Sequence, residues 1–517
     1  MSDLATRSAL SAPVLSFAPL ANRRAARLSD VPSLPIHSFR DAIARSVAEG
    51  WRVVTLFGAP ESDTSLRVIV VLADDTRGQL RAATAVVGER YPAIASDCAQ
   101  AERFEREMAE QCGVIPEGHP SLKPLRRHPP DHRPDRWTAS VAAFRRDAYT
   151  FDAFKGDEVH EVAVGPVHAG IIEPGHFRFH AHGEEVLSLE IMLGYQHRGV
   201  ERLLETRDRA RAVLVAESIA GDAVIAHASA YCGAIEAIAR SHKSARAQSI
   251  RGIALELERL ANHIGDLGAL AGDVAYQPAA ALFGRLRGEC LNMLMTLTGN
   301  RYGRGLIRPG GVSFDVPPEM ASELAGRIAR LEKELAPVAE LFFGASSVQS
   351  RLEGVGTVPR DACIAYGFVG PVARACDVHR DVRHDHPYGV FRYAQIPVAR
   401  AWAGDVYGRA IVRWVETRRS LEFAREQLEA LPAGDVRVPC GDPVTGAQLV
   451  VAMEEGWRGE VAHTVLTDER GEIRRHKVTD PSFRNWTALS LAMPGNQISD
   501  FPLCNKSFNL SYAGHDL

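Results

Sequence analysis

The sequence predicts an α+β protein in which a small N-terminal α+β domain precedes a mainly helical domain with a small β section. Three observations support this class. At 517 residues the chain is too long for one ordinary hydrophobic core. A proline- and charge-rich stretch, "IPEGHPSLKPLRRHPPDHRPDRW", follows a strand-rich region. Beyond it, long segments have apolar residues spaced three and four apart, which is typical of amphipathic helices.

The N-terminal region predicts a helix, two strands and a second helix. "HSFRDAIARSVAEG" has helical spacing, and the helix ends at Gly50. "WRVVTLFGA" and "LRVIVVLAD" are rich in β-branched residues and bounded by turn residues, as strands are. "CAQAERFEREMAEQCGV" is again helical. We therefore expect a disordered or docking tail over residues 1–34, the α+β domain over 35–125 and a proline-rich linker over 126–157.

The remaining residues, 158–517, predict the larger domain. "VHEVAVGPVH" and "GHFRFHAHGEEVLSLEIMLGY" are typical of strands, and "SIRGIALELERLANHIGDLGALAG" gives the clearest helical periodicity. "GEVAHTVLTDERGEIRRHKVTD" predicts a hairpin that turns between Asp468 and Gly471. Further helices are expected over residues 205–240, 278–299, 318–343 and 404–430.

Composition excludes several classes of protein. The 60 basic and 64 acidic residues give a net charge of −4, so no general electrostatic argument favours nucleic acid or an anionic membrane. The eight cysteines form no C-x-x-C pair, which removes the usual iron–sulfur and zinc spacings and favours reduced thiols in a cytosolic protein. No run approaches 18 consecutive apolar residues, so no membrane-spanning helix is predicted.

Several stretches, in order, resemble one family. "ERFEREMAEQCGVIPEGHPSLKPL" is similar to the signature of the 30 kDa subunit of respiratory complex I. "GPVHAGIIEPGHFRF", "GYQHRGVERLLE", "RPGGV", "DVRHDHPYG" and "GWRGEVAHTVLTDERGEIRRHKVTD" resemble blocks of the 49 kDa subunit. The two parts joined in one chain resemble the fused large subunit of membrane-bound group 4 [NiFe]-hydrogenases, of the formate-hydrogenlyase and hydrogenase-4 type. The resemblance covers about residues 35–517.

The resemblance also identifies what this chain lacks. In these hydrogenases the nickel–iron centre is held by two C-x-x-C pairs, because soft thiolates bind nickel and bridge it to iron. The corresponding positions here are Ala220 and Ala223 for the first pair, and Ser511 and Gly514 for the second. Methyl groups, a hydroxyl and a hydrogen atom cannot bridge two soft metals. The resemblance therefore implies an oxidoreductase subunit with no metal ligands in these positions and no hydrogenase activity of its own.

Two acidic residues lie in the segment that has lost the first pair. Glu217 would be either a buried carboxylate that relays protons, or a helix-surface residue paired with Arg207, Arg209 or Arg211. Asp222 lies inside the vacated loop, where it could bind a cation or a proton. Beside a glycine it could equally serve as a turn or capping residue.

Four basic residues complete the candidate site. Arg458 and His463 match an arginine that lies over the metal centre in the hydrogenases and a nearby histidine. Such an arginine would suit an oxyanion or a quinone oxygen, or would form a structural ion pair. His168 or His176 matches a histidine that contacts quinone in complex I, but "RARAVLVAESIAGDAV" contains no counterpart of the tyrosine that donates to the quinone there. We expect Glu217, Asp222, His176 and Arg458 to line one space too small for a metal cluster.

Two histidine-rich stretches raise the question of a metal site. Alternating residues of "GHFRFHAH" place three histidines and an arginine on one face of a strand, which we interpret as a solvated outer face rather than a zinc site. "HRDVRHDHPYG" contains His379, His384 and His386. The family motif has Asp-His-Pro-Tyr at this point for packing and charge pairing, so we assign no metal to it.

The resemblance implies partners as well as a fold. The chain would dock on a small subunit that carries a [4Fe-4S] cluster and is similar to the small cluster-bearing subunit of complex I, together with a ferredoxin-like subunit. Both would lie on antiporter-like membrane subunits, at the cytoplasmic face of the cell membrane. The implied function is a peripheral-arm subunit that couples electron transfer to ion translocation. Two alternatives stay open: a quinone-site subunit of the NADH–quinone oxidoreductase kind, and a redox-inactive scaffold.

Overall fold

A computed structural model describes residues 17–127, 132, 134, 149–154, 156, 158–168, 172–206 and 208–517. In the N-terminal part the elements are β1 (Ala18–Leu20), β2 (Ala26–Arg27), β3 (Ser33–Leu34), α1 (Ile36–Ala48), β4 (Arg52–Ser62), β5 (Ser65–Asp74), β6 (Gln79–Val87), β7 (Arg90–Pro92), α2 (Glu102–Cys112) and β8 (Ile115–Glu117). Next come β9 (Val159–Val164), β10 (His176–His182), β11 (Glu185–Met192), α3 (Val200–Leu204), α4 (Arg209–Ala216), α5 (Val224–Ile238), α6 (Ala245–Asp273) and α7 (Gln277–Thr298).

The rest of the chain is helical except for three strands near its end and one short hairpin. Its elements are β12 (Ile307–Arg308), β13 (Gly311–Val312), α8 (Pro318–Gly344), α9 (Ser346–Leu352), α10 (Arg360–Tyr366), α11 (Gly370–Ala375), α12 (Val382–Asp385), α13 (Val406–Glu429), β14 (Gln448–Gly456), β15 (Gly459–Thr467), β16 (Ile473–Thr479), α14 (Pro481–Ala492), α15 (Phe501–Phe508) and α16 (Tyr512–Asp516). The predicted α+β class is confirmed. None of the described helices is both long and apolar enough to cross a membrane.

The N-terminal sheet is buried on both faces. Its strands β4, β5 and β6 are antiparallel neighbours. Along β5, Val68 and Val70 pack with the residues of α1 and α2, while Ile69 and Val71 belong to the core of the larger domain. A strand that is covered on both faces carries a continuous apolar run, and this explains the sequence "LRVIVVLAD".

The predicted tail at 1–34 needs a correction. Residues 1–16 lie outside the described residues, but 17–34 contain three short strands, so disorder is the wrong prediction for them. Strand β1 pairs antiparallel with β6, and β3 pairs with β6 in parallel. Strand β2 pairs with β14, which lies near the other end of the chain. Composition could not indicate this order because it comes from backbone hydrogen bonds to distant strands.

The larger domain packs a helical bundle against a four-stranded sheet, in the order β16-β15-β14-β2. Helix α6 lies at the centre, against both α7 and α13. It starts at Ser244, whose side chain accepts a hydrogen bond from the Ala247 amide at 3.0 Å. The periodic apolar residues of α6 are fully buried, as its sequence predicts. The helix expected over 205–240 is interrupted at residues 217–223, and this interruption forms the candidate site.

Buried ion pairs join the two domains. Arg52 on β4 donates to Glu460 on β15 at 2.7 and 2.8 Å. Lys477 on β16 contacts Glu107 on α2 at 2.7 Å and Glu201 on α3 at 2.8 Å. These side chains are almost entirely shielded from solvent, so each charge depends on its partner for stabilisation.

Candidate functional site

Glu217 ends α4 and starts the interrupted segment. The carboxylate is buried, and its Oε1 accepts hydrogen bonds from the Gly305 amide at 3.0 Å and from Arg308 Nη1 at 2.7 Å. The burial of Glu217 agrees with the proton-relay interpretation, whereas its ion pair with an arginine agrees with the structural interpretation. The arginine that pairs with Glu217 is Arg308, which is not one of the three expected partners. Of those three, Arg207 lies outside the described residues.

Asp222 and Arg458 face each other across the interrupted segment. Both terminal nitrogens of Arg458 donate to the Asp222 carboxylate, at 2.6 and 2.8 Å, in the bidentate geometry that arginine favours. The remaining Nε donates to the Asn509 carbonyl at 2.5 Å. The guanidinium also lies 3.9 Å from the centroid of the Trp457 ring, and the Trp457 indole N–H donates to the Asp222 carbonyl at 2.8 Å. Arg458 therefore forms a structural ion pair here.

The two alanines at the positions that the resemblance assigns to the first cysteine pair pack against an aromatic ring. Ala220, Ala223 and Trp457 form a separate buried cluster, in which Trp457 is only 1% exposed. Because alanine has no polar group that burial would leave unsatisfied, it suits this packed position.

The second pair of positions is closed by a carboxylate. Ser511 is the N-cap of α16, and its hydroxyl accepts a hydrogen bond from the Gly514 amide at 2.9 Å. A Cβ atom added at Gly514 would lie 2.7 Å from both Cγ and Oδ2 of Asp480. Since real Cβ contacts are not that short, any side chain at this position would displace Asp480.

Three buried histidines continue from Asp480 into the core. Nε2 of His227 lies 3.0 Å from Oδ2 of Asp480, and Nδ1 of His227 lies 3.2 Å from Nε2 of His463. Nδ1 of His463 is in turn 2.9 Å from Nε2 of His476. The ring of Tyr231 stacks on His476 with the centroids 5.7 Å apart. Asp480 and the three imidazoles form one unbroken hydrogen-bonded chain, which we call the histidine chain.

One assignment of protons satisfies every contact in the histidine chain. If each imidazole carries its proton on Nε2, His227 donates to Asp480, His463 to His227 and His476 to His463. Nδ1 of His476 then has a free lone pair, and it is a buried atom without a hydrogen-bond partner in the described part of the chain. Burial lowers the pKa of His476 to about 4 and the pKa of His463 well below its usual value, so both rings are neutral at pH 7. A neutral chain of this kind can accept a proton at one end and release one at the other.

The other two candidate histidines bind backbone carbonyls. Nε2 of His168 lies 3.0 Å from the Gly175 carbonyl, and Nδ1 of His176 lies 3.0 Å from the Gly165 carbonyl. Within the described ranges, no hydrogen bond or ion pair joins Glu217 or His176 to the Asp222–Arg458 pair. The structure therefore brings together two of the four residues expected around one space, and His463 enters through the histidine chain.

The strand face around His176 also departs from expectation. His176 and His180 are buried, with their rings 5.3 Å from Phe151 and 4.4 Å from Phe154 respectively. A solvated outer face is therefore the wrong interpretation for these two residues, because residues 149–154 cover them. His182, by contrast, has an exposed side chain that pairs with Glu158.

Comparison with known proteins identifies the family. The profile of the 49 kDa subunit of respiratory-chain NADH dehydrogenase matches residues 273–444, and the profile of its 30 kDa subunit matches residues 37–149. The carbon monoxide-induced hydrogenase of Rhodospirillum rubrum is 31% identical over 351 residues, which cover 68% of this chain and 97% of that protein. The chain belongs to the family that unites the 49 kDa subunit of complex I with the large subunits of membrane-bound hydrogenases.

Some of the similar proteins are named as subunits of a hydrogenase or hydrogenlyase and others as subunits of NADH-quinone oxidoreductase. Formate hydrogenlyase subunit 5 of Escherichia coli is 28% identical, and the match covers 82% of this chain and 77% of that protein. NADH-quinone oxidoreductase subunit 4 of Thermus thermophilus is 31% identical, with 66% of this chain and 90% of that protein covered. The 30 kDa and 49 kDa parts are fused here in one chain, as the sequence blocks predict.

A nickel–iron centre, which the hydrogenase members of the family imply, does not fit the residues present. The four ligand positions carry no thiol, Trp457 covers the first pair and Asp480 fills the space at Gly514. Cys504 is no substitute, because its Sγ lies against Gly356 in the hydrophobic core, and burial raises the pKa of its thiol to about 11. The family architecture is kept here without the donor set that the metals require.

Sequence reasoning missed several residues of this site. The sequence alone did not mark Trp457 and Asp480 as residues of this site. A tryptophan before "RGE" has an ordinary packing role, and an aspartate before Pro481 has an ordinary capping role. Glu173 accepts a hydrogen bond from the Tyr512 amide beside the second vacated pair. Desolvation raises the pKa of Glu173 above its usual range, and Arg458 opposes the shift. The sequence alone gave no signal for Glu173, because the fold determines how close it lies to these positions.

Proposed function

We propose that the chain is a peripheral-arm subunit of a membrane-bound oxidoreductase complex, in which it couples electron transfer to ion translocation without a nickel–iron centre. The observation that carries the proposal is the filled ligand site. The fused architecture of the 30 kDa and 49 kDa subunits is retained around it, while Trp457 packs on Ala220 and Ala223 and Asp480 lies against Gly514. A fold kept after its metal site has closed supports a role in assembly and coupling.

The histidine chain supports a part in proton movement. It runs from Asp480, at a vacated ligand position, through His227 and His463 to the free Nδ1 of His476. We assign proton transfer to this chain, with Glu217 as a second carrier on the other side of the segment. The implied partners are a small subunit with a [4Fe-4S] cluster, a ferredoxin-like subunit and antiporter-like membrane subunits, at the cytoplasmic face of the membrane.

The quinone-site alternative has less support. In Arg458 all three nitrogens already donate, to Asp222 and Asn509, so a quinone oxygen would have only the two remaining N–H groups of the Nη atoms. Trp457 also covers the loop in which complex I is expected to place its quinone contacts. The nearest tyrosine along the chain, Tyr231, is fully buried against His476.

The first test is the composition of the native complex. Purification of the tagged chain from detergent-solubilised membranes should recover the cluster-bearing and antiporter-like subunits, with nickel well below one atom per complex and no hydrogen evolution or uptake. Replacing Ala220, Ala223, Ser511 and Gly514 together by cysteine should not create hydrogen activity, because Trp457 still packs against the first pair of positions. Recovery only as a soluble monomer would contradict the assembly, and stoichiometric nickel would contradict the metal-free site.

A second test concerns the proton carriers. In membrane vesicles that contain the complex, His463→Gln should lower the number of ions moved per electron at least tenfold while electron transfer continues, since glutamine cannot both accept and pass on a proton. Glu217→Gln should lower it less, because the Arg308 pair already holds that carboxylate. The exposed His182→Ala variant is the control and should couple normally. Normal coupling in His463→Gln would remove the histidine chain from the mechanism.

A further inference from the structure

Three side chains of types that bind metal ions, those of His379, His384 and Asp385, lie close together in and just before the motif "DVRHDHPYG". Nδ1 of His379 lies 3.3 Å from Oδ1 of Asp385, and Nδ1 of His384 lies 2.9 Å from the same oxygen. The two imidazole rings are 4.9 Å apart. All three ligand atoms are within 4.8 Å of one another. Two imidazole nitrogens and a carboxylate oxygen form a common ligand set for zinc.

The distances are close to those that one ion requires. Zinc bonds of about 2.0–2.2 Å in a tetrahedral site place neighbouring ligand atoms roughly 3.3 Å apart. The two distances from Asp385 to the histidines already match, and only the two imidazole nitrogens must approach each other. Both histidine side chains are 43% exposed, so they can rotate by the small amount needed, and water can complete the coordination.

The electrostatic surroundings favour a cation at the same point. The Asp385 side chain is 2% exposed, yet no arginine or lysine in the described ranges forms an ion pair with it. Its neighbours Asp75 and Asp381 are themselves paired with arginines, at Arg52 and Arg383. A buried carboxylate without a cationic partner is costly, and a bound divalent ion would remove that cost.

A hydrogen bond orients the carboxylate toward the histidines. The Asp381 amide donates to Oδ2 of Asp385 at 2.8 Å, which leaves Oδ1 directed at the two imidazoles. Outer-shell hydrogen bonds of this kind are what fix ligands in metal sites. We propose that His379, His384 and Asp385 bind one divalent transition-metal ion of the zinc class. This replaces the expectation, drawn from the motif alone, that no metal belongs here.

The position of the site suggests what the ion does. The carbonyl of Asp385 lies 2.7 Å from where a Cβ of Gly78 would be, so α12 touches the turn between β5 and β6. The next residue, His386, binds Asp75 on the same turn at 3.1 Å. An ion held by His379, His384 and Asp385 would therefore fix α12 where the N-terminal domain meets the larger one.

The experiment is a titration of the chelator-treated full-length chain with zinc alone. We expect one tightly bound zinc per chain and a rise in the melting temperature on binding. His379→Ala and His384→Ala should each bind zinc at least tenfold more weakly, while the control His182→Ala, which removes another exposed histidine, should bind as the unmodified chain does. Circular dichroism without zinc should show all three variants folded, since these side chains are exposed.

Two outcomes would overturn the site. One is the absence of saturable zinc binding by the unmodified chain, and the other is unchanged affinity in the His379→Ala, His384→Ala double variant. Neither outcome bears on the proposed role in electron transfer, because the titration uses the chain without its partners. The double variant is also the right material for the nickel analysis of the complex, since nickel from an affinity column could occupy this surface site.

Discussion

Replacing Lys477 by methionine should lower the free energy of unfolding by about 3 kcal/mol, because it leaves two buried carboxylates with one cation fewer: Glu107 keeps Arg126, and Glu201 keeps Arg475. The ammonium contacts Glu107 at 2.7 Å and Glu201 at 2.8 Å, and none of the three side chains is more than 4% exposed. Methionine keeps the length of the side chain, so the loss of charge dominates the effect. Urea denaturation followed by circular dichroism measures it.

The control is an exposed ion pair of the same chemistry. Arg285 and Glu334 are 56% and 47% exposed, so Glu334→Gln should change the free energy of unfolding by no more than about 1 kcal/mol. Equal effects of the Lys477 and Glu334 substitutions would show that the inter-domain charges contribute no more than surface charges do.

Lowering the pH should reduce the stabilisation that Glu201 contributes to the same cluster. Burial alone would raise the pKa of Glu201, but the charges of Arg475 and Lys477 hold that pKa well below its usual value. The stabilising contribution of Glu201 is therefore complete above the unfolded-state pKa of about 4.3, and is lost as the pH falls below it. The difference in stability between the unmodified chain and Lys477→Met should shrink over that acidic range.

Sequence periodicity predicted the long helices α6, α7, α8 and α13 because their burial pattern is local. In α6 the apolar residues recur at the helical spacing and are all buried, so pattern and structure agree. Strand β6, "QLRAATAVV", was missed because its small residues give little strand signal, although it pairs with β1, β3 and β5 in the sheet. The strands within 17–34 were missed for a related reason: their order depends on partners far away in the chain.

The candidate site likewise has one part that the sequence predicts and another that only the structure shows. The absence of the four thiolates is a prediction from the resemblance, which assigns the ligand positions to Ala220, Ala223, Ser511 and Gly514, and it needs only the identity of those residues. What occupies the emptied space depends on three-dimensional contacts. The sequence "VTDPSF" gives Asp480 an N-cap role before a proline, and the structure shows that role, with the Ser482 amide donating to it at 2.7 Å. Its second role, against Gly514 and His227, arises only when β16 and α16 meet.

Replacing Trp457 by alanine should lower the free energy of unfolding by about 3–5 kcal/mol, the usual cost of removing a buried tryptophan. The ring is 1% exposed and packs on Ala220 and Ala223, so its removal opens a cavity at the first pair of vacated ligand positions. Trp402, which is 84% exposed, gives the matched control: Trp402→Ala should change the free energy by about 0.5 kcal/mol or less.

A second variant separates packing from hydrogen bonding at Trp457. Trp457→Phe keeps an aromatic ring against the alanines and loses only the indole N–H bond to the Asp222 carbonyl and part of the ring, so it should cost roughly 1–2 kcal/mol. An alanine variant as stable as Trp402→Ala would mean that the ring is not what closes the site, and the absence of thiolates alone would then have to explain the loss of the metal.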